Sequence, residues 1–105
     1  MKSRILALVL LAMSALSMPA AHAADATVVL KNFDYSPMDV TVTVGSTVTW
    51  KNLDGEPHTV ASVDGAFHSP ALDEGDTYQF KFDHAGVYKY ICSIHPKMKA
   101  TVTVK

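Results

Sequence analysis

The sequence predicts an all-β protein, a β-sandwich of about seven to eight short strands, on three observations. Apolar and polar residues alternate with a period of two, the alternating segments are rich in Val, Thr, Tyr and Phe, and turn residues separate them at short intervals. Such alternation turns one face of a strand toward a core and the other toward water. We therefore predict a single antiparallel β-sandwich or barrel with Greek-key connections and no long helix.

Six segments carry the alternation: ATVVLKN (26–32), DVTVTVG (39–45), STVTWKN (46–52), TYQFKFD (77–83), GVYKYIC (86–92) and KATVTVK (99–105). The segment from His58 to Val63 adds a seventh strand, and Phe67 to Leu72 could hold a short turn. Trp50 is expected in the core. Tyr88 follows a Gly turn and precedes an alternating run, which is typical of a tyrosine corner, where the phenol hydroxyl donates to the backbone across the turn.

The N-terminus has the pattern of a secretory signal peptide. Two basic residues precede an apolar stretch at 5–18, and Ala-His-Ala at 21–23 resembles a cleavage site. The alternative is a membrane anchor, but the apolar stretch has 14 residues and a bilayer requires about 20. We predict a signal peptide at 1–23, one domain at 24–105 and a location in the periplasm, without a membrane anchor.

Charge and cysteine content restrict the function further. Without residues 1–23, seven lysines face ten acidic residues, a net charge near −3 with no basic cluster, which argues against nucleic acid as a partner. Cys92 is the only cysteine, so the domain cannot form an internal disulfide. In an exported protein such a thiol is paired with another molecule, reactive or occupied. A bound metal would also stabilise so small a core. We expect a monomer.

The run Cys92-Ser-Ile-His95-Pro-Lys-Met98 supplies the strongest chemical signal. It offers a thiolate, an imidazole and a thioether in a tight loop between two predicted strands. Thiolate and thioether are soft donors that suit copper, and a trigonal His2Cys set with a distant axial Met is the arrangement of copper electron-transfer sites. The run therefore predicts a copper site that lacks a second histidine.

Four histidines remain as candidates for that ligand. His22 lies in the predicted signal peptide, and His84 lies in a turn where a solvated side chain is the simpler interpretation. His58 opens a predicted strand and can face the end of the strand that stops at Cys92. We choose His58, with His68 a distant second.

The segments NFDYSPMDVTVTVGSTVTWKNLDGEPHTV and GVYKYICSIHPKM, with a last strand ATVTVK, resemble a cupredoxin across nearly the whole domain. The short C-x2-H-x2-M loop is similar to that of amicyanin. The resemblance implies a type 1 copper site near one pole of the sandwich and one-electron transfer in the periplasm. Its ligands would be His58, Cys92, His95 and Met98.

The resemblance also implies how electrons enter and leave. The ring edge of His95 would lie at the surface, with Met38, Ile94, Pro96 and Met98 supplying apolar area around it for brief docking. The partners implied are redox proteins such as a c-type cytochrome or a periplasmic dehydrogenase.

Two residues depart from the family pattern. Relatives often carry Asn after the first histidine ligand, where this chain has Thr59, and amicyanin has Pro where this chain has Ile94. Ile94 keeps a backbone N–H that Pro lacks. If that N–H points at the Cys92 sulfur, it should raise the reduction potential, and Ile94→Pro should lower it.

Other classes of function fit the sequence less well. Four protein ligands leave no position for a substrate, and paired carboxylates, a Ser–His–Asp set and a Gly-rich phosphate loop are all missing, so we expect an electron carrier and not an enzyme. The alternative is a periplasmic copper-binding or chaperone protein, for which extra Met/His clusters would be expected. Third comes a metal-free interaction domain with Cys92 buried. Zinc could occupy the same residues, although catalytic zinc usually keeps an open water position.

Overall fold

The computed structural model describes residues 24–105, which form two four-stranded sheets. The strands are β1 (Ala26–Lys31), β2 (Asp34–Ser36), β3 (Asp39–Val42), β4 (Thr47–Asn52), β5 (Ala61–Ser62), β6 (Thr77–Lys81), β7 (Gly86–Ile91) and β8 (Lys99–Val104). One sheet has the order β2-β1-β4-β6 and the other β3-β8-β7-β5. The predicted all-β sandwich is confirmed. The signal peptide predicted at 1–23 lies outside the described residues.

Four details differ from the prediction. The pairings β1–β4 and β3–β8 are parallel, because the chain crosses to the other sheet before it returns beside the earlier strand. Strand β2 is additional, and β5 keeps only two residues of the predicted 58–63 strand. The segment 67–72 holds no turn: it is extended and bridges back through the pairs Ala61–His68 and His58–Leu72.

Aromatic residues fill the space between the sheets, as the alternation predicts. Trp50 is fully buried and packs against Phe67 and Tyr90, with ring centroids 5.6 and 5.5 Å away. The tyrosine corner is also confirmed, because the Tyr88 hydroxyl donates to the carbonyl oxygen of His84 at 2.8 Å.

The register of three strands determines where the candidate ligands meet. Strands β7 and β8 are antiparallel with Ile91 opposite Lys99, so residues 92–98 close a hairpin at one end of the sandwich. Strand β5 is antiparallel to β7 with Ala61 opposite Ile91. The residues just before Ala61 therefore run beside those just after Ile91. Residues 24–105 contain no helix that is long and apolar enough to cross a membrane.

Candidate metal centre

His58 is held at the edge of the sandwich by its own backbone. Its N–H donates to the carbonyl of Leu72 at 3.1 Å, and its carbonyl accepts the Leu72 N–H at 2.7 Å. The residue is 0% exposed. An imidazole without solvent must make its polar contacts inside the protein, and the ring of His58 makes them with Asp54 and toward Cys92.

The loop 92–98 is closed by two backbone hydrogen bonds. The N–H of Cys92 donates to the carbonyl of Met98 at 3.1 Å, and the N–H of Met98 donates to the carbonyl of His95 at 2.9 Å. Cys92 and Met98 are buried, whereas His95 is half-buried. The short loop therefore keeps its three predicted ligands at one end of the sandwich, two of them buried.

The donor atoms converge as a metal would require. The Nδ1 atoms of His58 and His95 each lie 3.9 Å from the Sγ of Cys92, and the three ligand atoms lie within 4.8 Å of one another. A metal ion binds nitrogen at about 2.0 Å and sulfur at about 2.3 Å. If the nitrogen–metal–sulfur angle is about 120–130°, the two ligand atoms are about 3.7–3.9 Å apart. The observed spacing fits that geometry. With Met98, these residues are in position for a type 1 site.

Two backbone N–H groups point at the Cys92 sulfur. Thr59 donates at 3.3 Å and His95 at 3.4 Å. Both place the positive ends of their dipoles against the sulfur, where they would stabilise the negative charge of a metal-bound thiolate. Among the described residues the N–H of Ile94 makes no such contact, so the expected Ile94 hydrogen bond is wrong. The loop turns the N–H of His95 inward instead.

Thr59 ties the two ligand segments together. Its Oγ1 accepts the N–H of Ser93 at 2.7 Å and lies 2.8 Å from the Ser93 hydroxyl. The hydroxyl thus connects the segment that carries His58 to the segment that carries Cys92, at the position where relatives often carry Asn. The departure at Thr59 leaves the connection between the His58 and Cys92 segments intact.

Asp54 is a functional residue that the sequence reasoning missed. Its Oδ2 lies 2.8 Å from Nε2 of His58, and its carboxylate accepts the N–H groups of Asn32 and Phe33 at 2.7 and 2.9 Å. Burial raises the pKa of this carboxyl, but the hydrogen bonds from Phe33, His58 and Asn32 outweigh it, and the pKa lies below 3.8. The anion holds the Nε2–H tautomer of His58, which leaves Nδ1 free to bind a metal. Its spacing four residues before His58 was the only signal in the sequence.

Phe33 is the second missed residue. Its ring meets the rings of both candidate histidine ligands edge to face, with centroids 5.1 Å from His58 and 4.9 Å from His95. It is 44% exposed, and it shares a surface depression with Ile94, His95, Pro96 and Met98. Nothing in its sequence neighbourhood pointed to the copper-binding end of the molecule.

The remaining candidates fall as the sequence suggested, with one exception. His68 and His84 are exposed, and among the described residues the metal-type cluster consists of His58, Cys92 and His95. Met38, Ile94 and Pro96 are exposed, as expected of a docking surface. Met98 is wrong in that role, because only 3% of it is exposed.

Comparison with known proteins decides the family. The family model described as a cupredoxin-like domain matches residues 4–104. The chain belongs to the cupredoxin-like family. It is 36% identical to the amicyanin of Paracoccus denitrificans over 93 residues, which cover 82% of this chain and 71% of the relative. It is 37% identical to the plastocyanin of Scenedesmus fuscus over 84 residues, 68% of this chain and 86% of the relative.

A solved structure supports the same family. The purple cupredoxin from Nitrosopumilus maritimus superposes with a TM-score of 0.71 at 39% identity, covering 77% of this chain and all of that one. Cupredoxins bind one copper ion, and the donor set described above fits it. This cupredoxin is therefore amicyanin-like in sequence, and its family supports a blue copper electron carrier.

Proposed function

We propose that this cupredoxin is a periplasmic one-electron carrier whose type 1 copper is held by His58, Cys92, His95 and Met98. The observation that carries the proposal is the convergence of two imidazole nitrogens and one cysteine sulfur within 4.8 Å at one end of the sandwich, with His58 and Cys92 buried and His95 half-buried. Bound copper would supply a one-electron Cu(I)/Cu(II) couple.

Each residue has a distinct part in this proposal. The Cys92 thiolate would give copper a covalent, electron-rich bond, and His58 and His95 would supply two imidazole ligands. Met98 would supply a thioether ligand that tunes the reduction potential. Asp54 orients His58, and the N–H groups of Thr59 and His95 stabilise the thiolate.

Rigidity supports electron transfer over storage or delivery of the metal. The hairpin of β7 and β8 fixes the backbone of Cys92, His95 and Met98, and two hydrogen bonds with Leu72 fix that of His58. Further hydrogen bonds fix the Cys92 sulfur and the His58 imidazole. A site held in one geometry for both oxidation states needs little rearrangement when an electron moves. A copper chaperone must release its ion to a partner, which a buried His58 and Cys92 do not favour.

Four protein donors support a carrier and not an enzyme, because they leave no free position for a substrate. The signal-peptide pattern of residues 1–23 supports export to the periplasm and a mature domain at 24–105. Half-buried His95 shares a surface depression with exposed Phe33, Ile94 and Pro96, and exposed Met38 lines a second depression that also includes Pro96. This apolar surface supports brief docking with redox proteins such as a c-type cytochrome or a periplasmic dehydrogenase.

Histidine variants test the ligand assignment. The protein is loaded with Cu(II), and the visible and electron paramagnetic resonance spectra are recorded. We expect His58→Gly to lose the intense thiolate-to-copper absorption and the narrow copper hyperfine splitting. His68→Ala is the matched control, since its exposed ring lies outside the cluster, and it should keep both signals. A blue His58→Gly protein or a colourless His68→Ala protein would contradict the assignment.

A further inference from the structure

The hairpin that joins β1 and β2 contains an unfavourable residue. Lys31 pairs with Asp34, so the turn has two central residues, Asn32 and Phe33, with φ angles of 55° and 61°. A two-residue hairpin of this type needs positive φ at both positions and strongly prefers Asn-Gly. Asn tolerates the left-handed region, but a bulky residue there is an outlier. Gly would suit position 33 better.

Burial does not explain the phenylalanine. Its side chain is 44% exposed, so much of its apolar area stays in water. The turn is stabilised from outside, because the Asp54 carboxylate accepts the N–H groups of both central residues. A costly conformation that is held by its surroundings points to a function for the residue that adopts it.

The ring of Phe33 meets both candidate ligand rings. It stands at 79° to the ring of His58 and 89° to that of His95, and the two imidazoles stand at 70° to each other with centroids 5.1 Å apart. Edge-to-face contacts between rings at these distances are favourable. His58 is already held by a hydrogen bond with Asp54, whereas among the described residues the only polar contact of the His95 ring is a long one to the Cys92 sulfur. Phe33 is therefore the ring contact of His95 that comes from outside the candidate ligand set.

We propose that Phe33 is a positioning residue of the copper centre: it accepts a strained turn in order to hold the imidazole of His95 against that of His58 before and after copper binds. The proposal rests on the proposed function for its purpose, but the restraint itself exists without metal. The Asp54 carboxylate is hydrogen-bonded both to the turn that carries Phe33 and to His58, and it therefore fixes the position of Phe33 relative to the buried histidine.

The test compares Phe33→Gly with Asn32→Gly in the copper-free protein. Phe33→Gly relieves the strained turn and removes the ring, whereas Asn32→Gly changes the same turn and keeps the ring. We expect the urea midpoint of Phe33→Gly to equal or exceed that of the wild type. Carbon-13 relaxation should show the order parameter of the His95 ring falling below about 0.6, the range of mobile groups. Asn32→Gly should leave the His95 ring as ordered as in the wild type.

Two outcomes would overturn the proposal. A lower urea midpoint for Phe33→Gly would make Phe33 a stabilising residue of the hairpin, and an unchanged His95 ring would make it a surface contact only. Phe33→Tyr should restore the ring order, as it keeps the aromatic edge. In the copper-loaded protein, Phe33→Gly should broaden the copper resonance. If the wild type fails to turn blue, the proposed function fails. The copper-free measurements still test whether Phe33 restrains the His95 ring.

Discussion

Thr59 uses each of its polar groups to join the parts of the site. Its N–H donates to the Cys92 sulfur at 3.3 Å, its carbonyl accepts the Tyr35 hydroxyl at 2.6 Å, and its hydroxyl binds Ser93. Burial, followed by the charge of Cys92, raises the pKa of Tyr35 and keeps that donor protonated. Thr59, although it departs from the family pattern, therefore connects Cys92, Tyr35 and Ser93 through its own hydrogen bonds.

Replacing Thr59 should loosen this connection. In Thr59→Ala the N–H of Ser93 loses its acceptor. Because water can reach exposed Ser93, we expect the free energy of unfolding to fall by about 1 kcal/mol, the lower end of the range for an unpaired hydrogen-bonding group. Thr59→Asn should recover most of this stability. Thr41→Ala, at an exposed threonine of β3, is the matched control and should change stability by less than about 0.5 kcal/mol. Urea unfolding of the copper-free protein measures all three, and a neutral Thr59→Ala would contradict the role.

At the level of elements, the ligand loop 92–98 sets which backbone groups face the sulfur. The hydrogen bonds Cys92–Met98 and Met98–His95 close the loop and turn the N–H of His95 inward. The N–H of Ile94 is consequently not used on the sulfur. The sequence indicated the correct loop but the wrong donor within it, because donor direction depends on loop closure and not on residue order.

Ile94→Pro should therefore leave the reduction potential close to that of the wild type. Proline removes an N–H that does not contact the sulfur, while the donors at Thr59 and His95 remain. Voltammetry of the copper-loaded proteins measures the difference. A decrease larger than about 59 mV, which corresponds to a tenfold change in a one-electron equilibrium, would show that position 94 acts on the thiolate after all.

Across the whole molecule, the alternating pattern was sufficient to predict the sandwich and most strands. It missed β2, which has only three residues, and the parallel pairings, which depend on how the chain crosses between sheets. The C-x2-H-x2-M spacing predicted three candidate ligands because Cys92, His95 and Met98 are close in sequence. Asp54 and Phe33 could not be found in this way, since their roles arise from contacts between distant segments.

The buried Tyr90 should limit stability at high pH. Burial raises the pKa of Tyr90 from 10.0 to about 12. The nearby indole N–H of Trp50 offsets part of that rise, although it is not aligned to hydrogen-bond the Tyr90 hydroxyl. The unfolded chain releases this proton near pH 10.0 while the folded chain retains it. The folded state is therefore favoured fully below pH 10.0 and loses that advantage as the pH rises toward about 12.

Tyr90→Phe tests this dependence. The Tyr90 hydroxyl has no partner among the described residues, so its removal should leave stability at neutral pH unchanged or raise it by about 1 kcal/mol. The fall in stability above about pH 10 should become shallower in this variant. Tyr35, whose pKa is also raised by burial, should cause the fall that is left. Urea midpoints of the copper-free protein against pH provide the comparison with the wild type. An equally steep fall in the variant would contradict the assignment to Tyr90.

A stoichiometric copper titration tests the central claim most directly. Cu(II) is added to the purified protein while the visible spectrum is recorded, and the saturated sample is then reduced with ascorbate and reoxidised with ferricyanide. We predict an intense blue band that saturates at one copper per chain, disappears on reduction and returns on reoxidation. The Cys92→Ser variant should not develop this band. A protein that stays colourless, or a Cys92→Ser variant that turns blue, would contradict it.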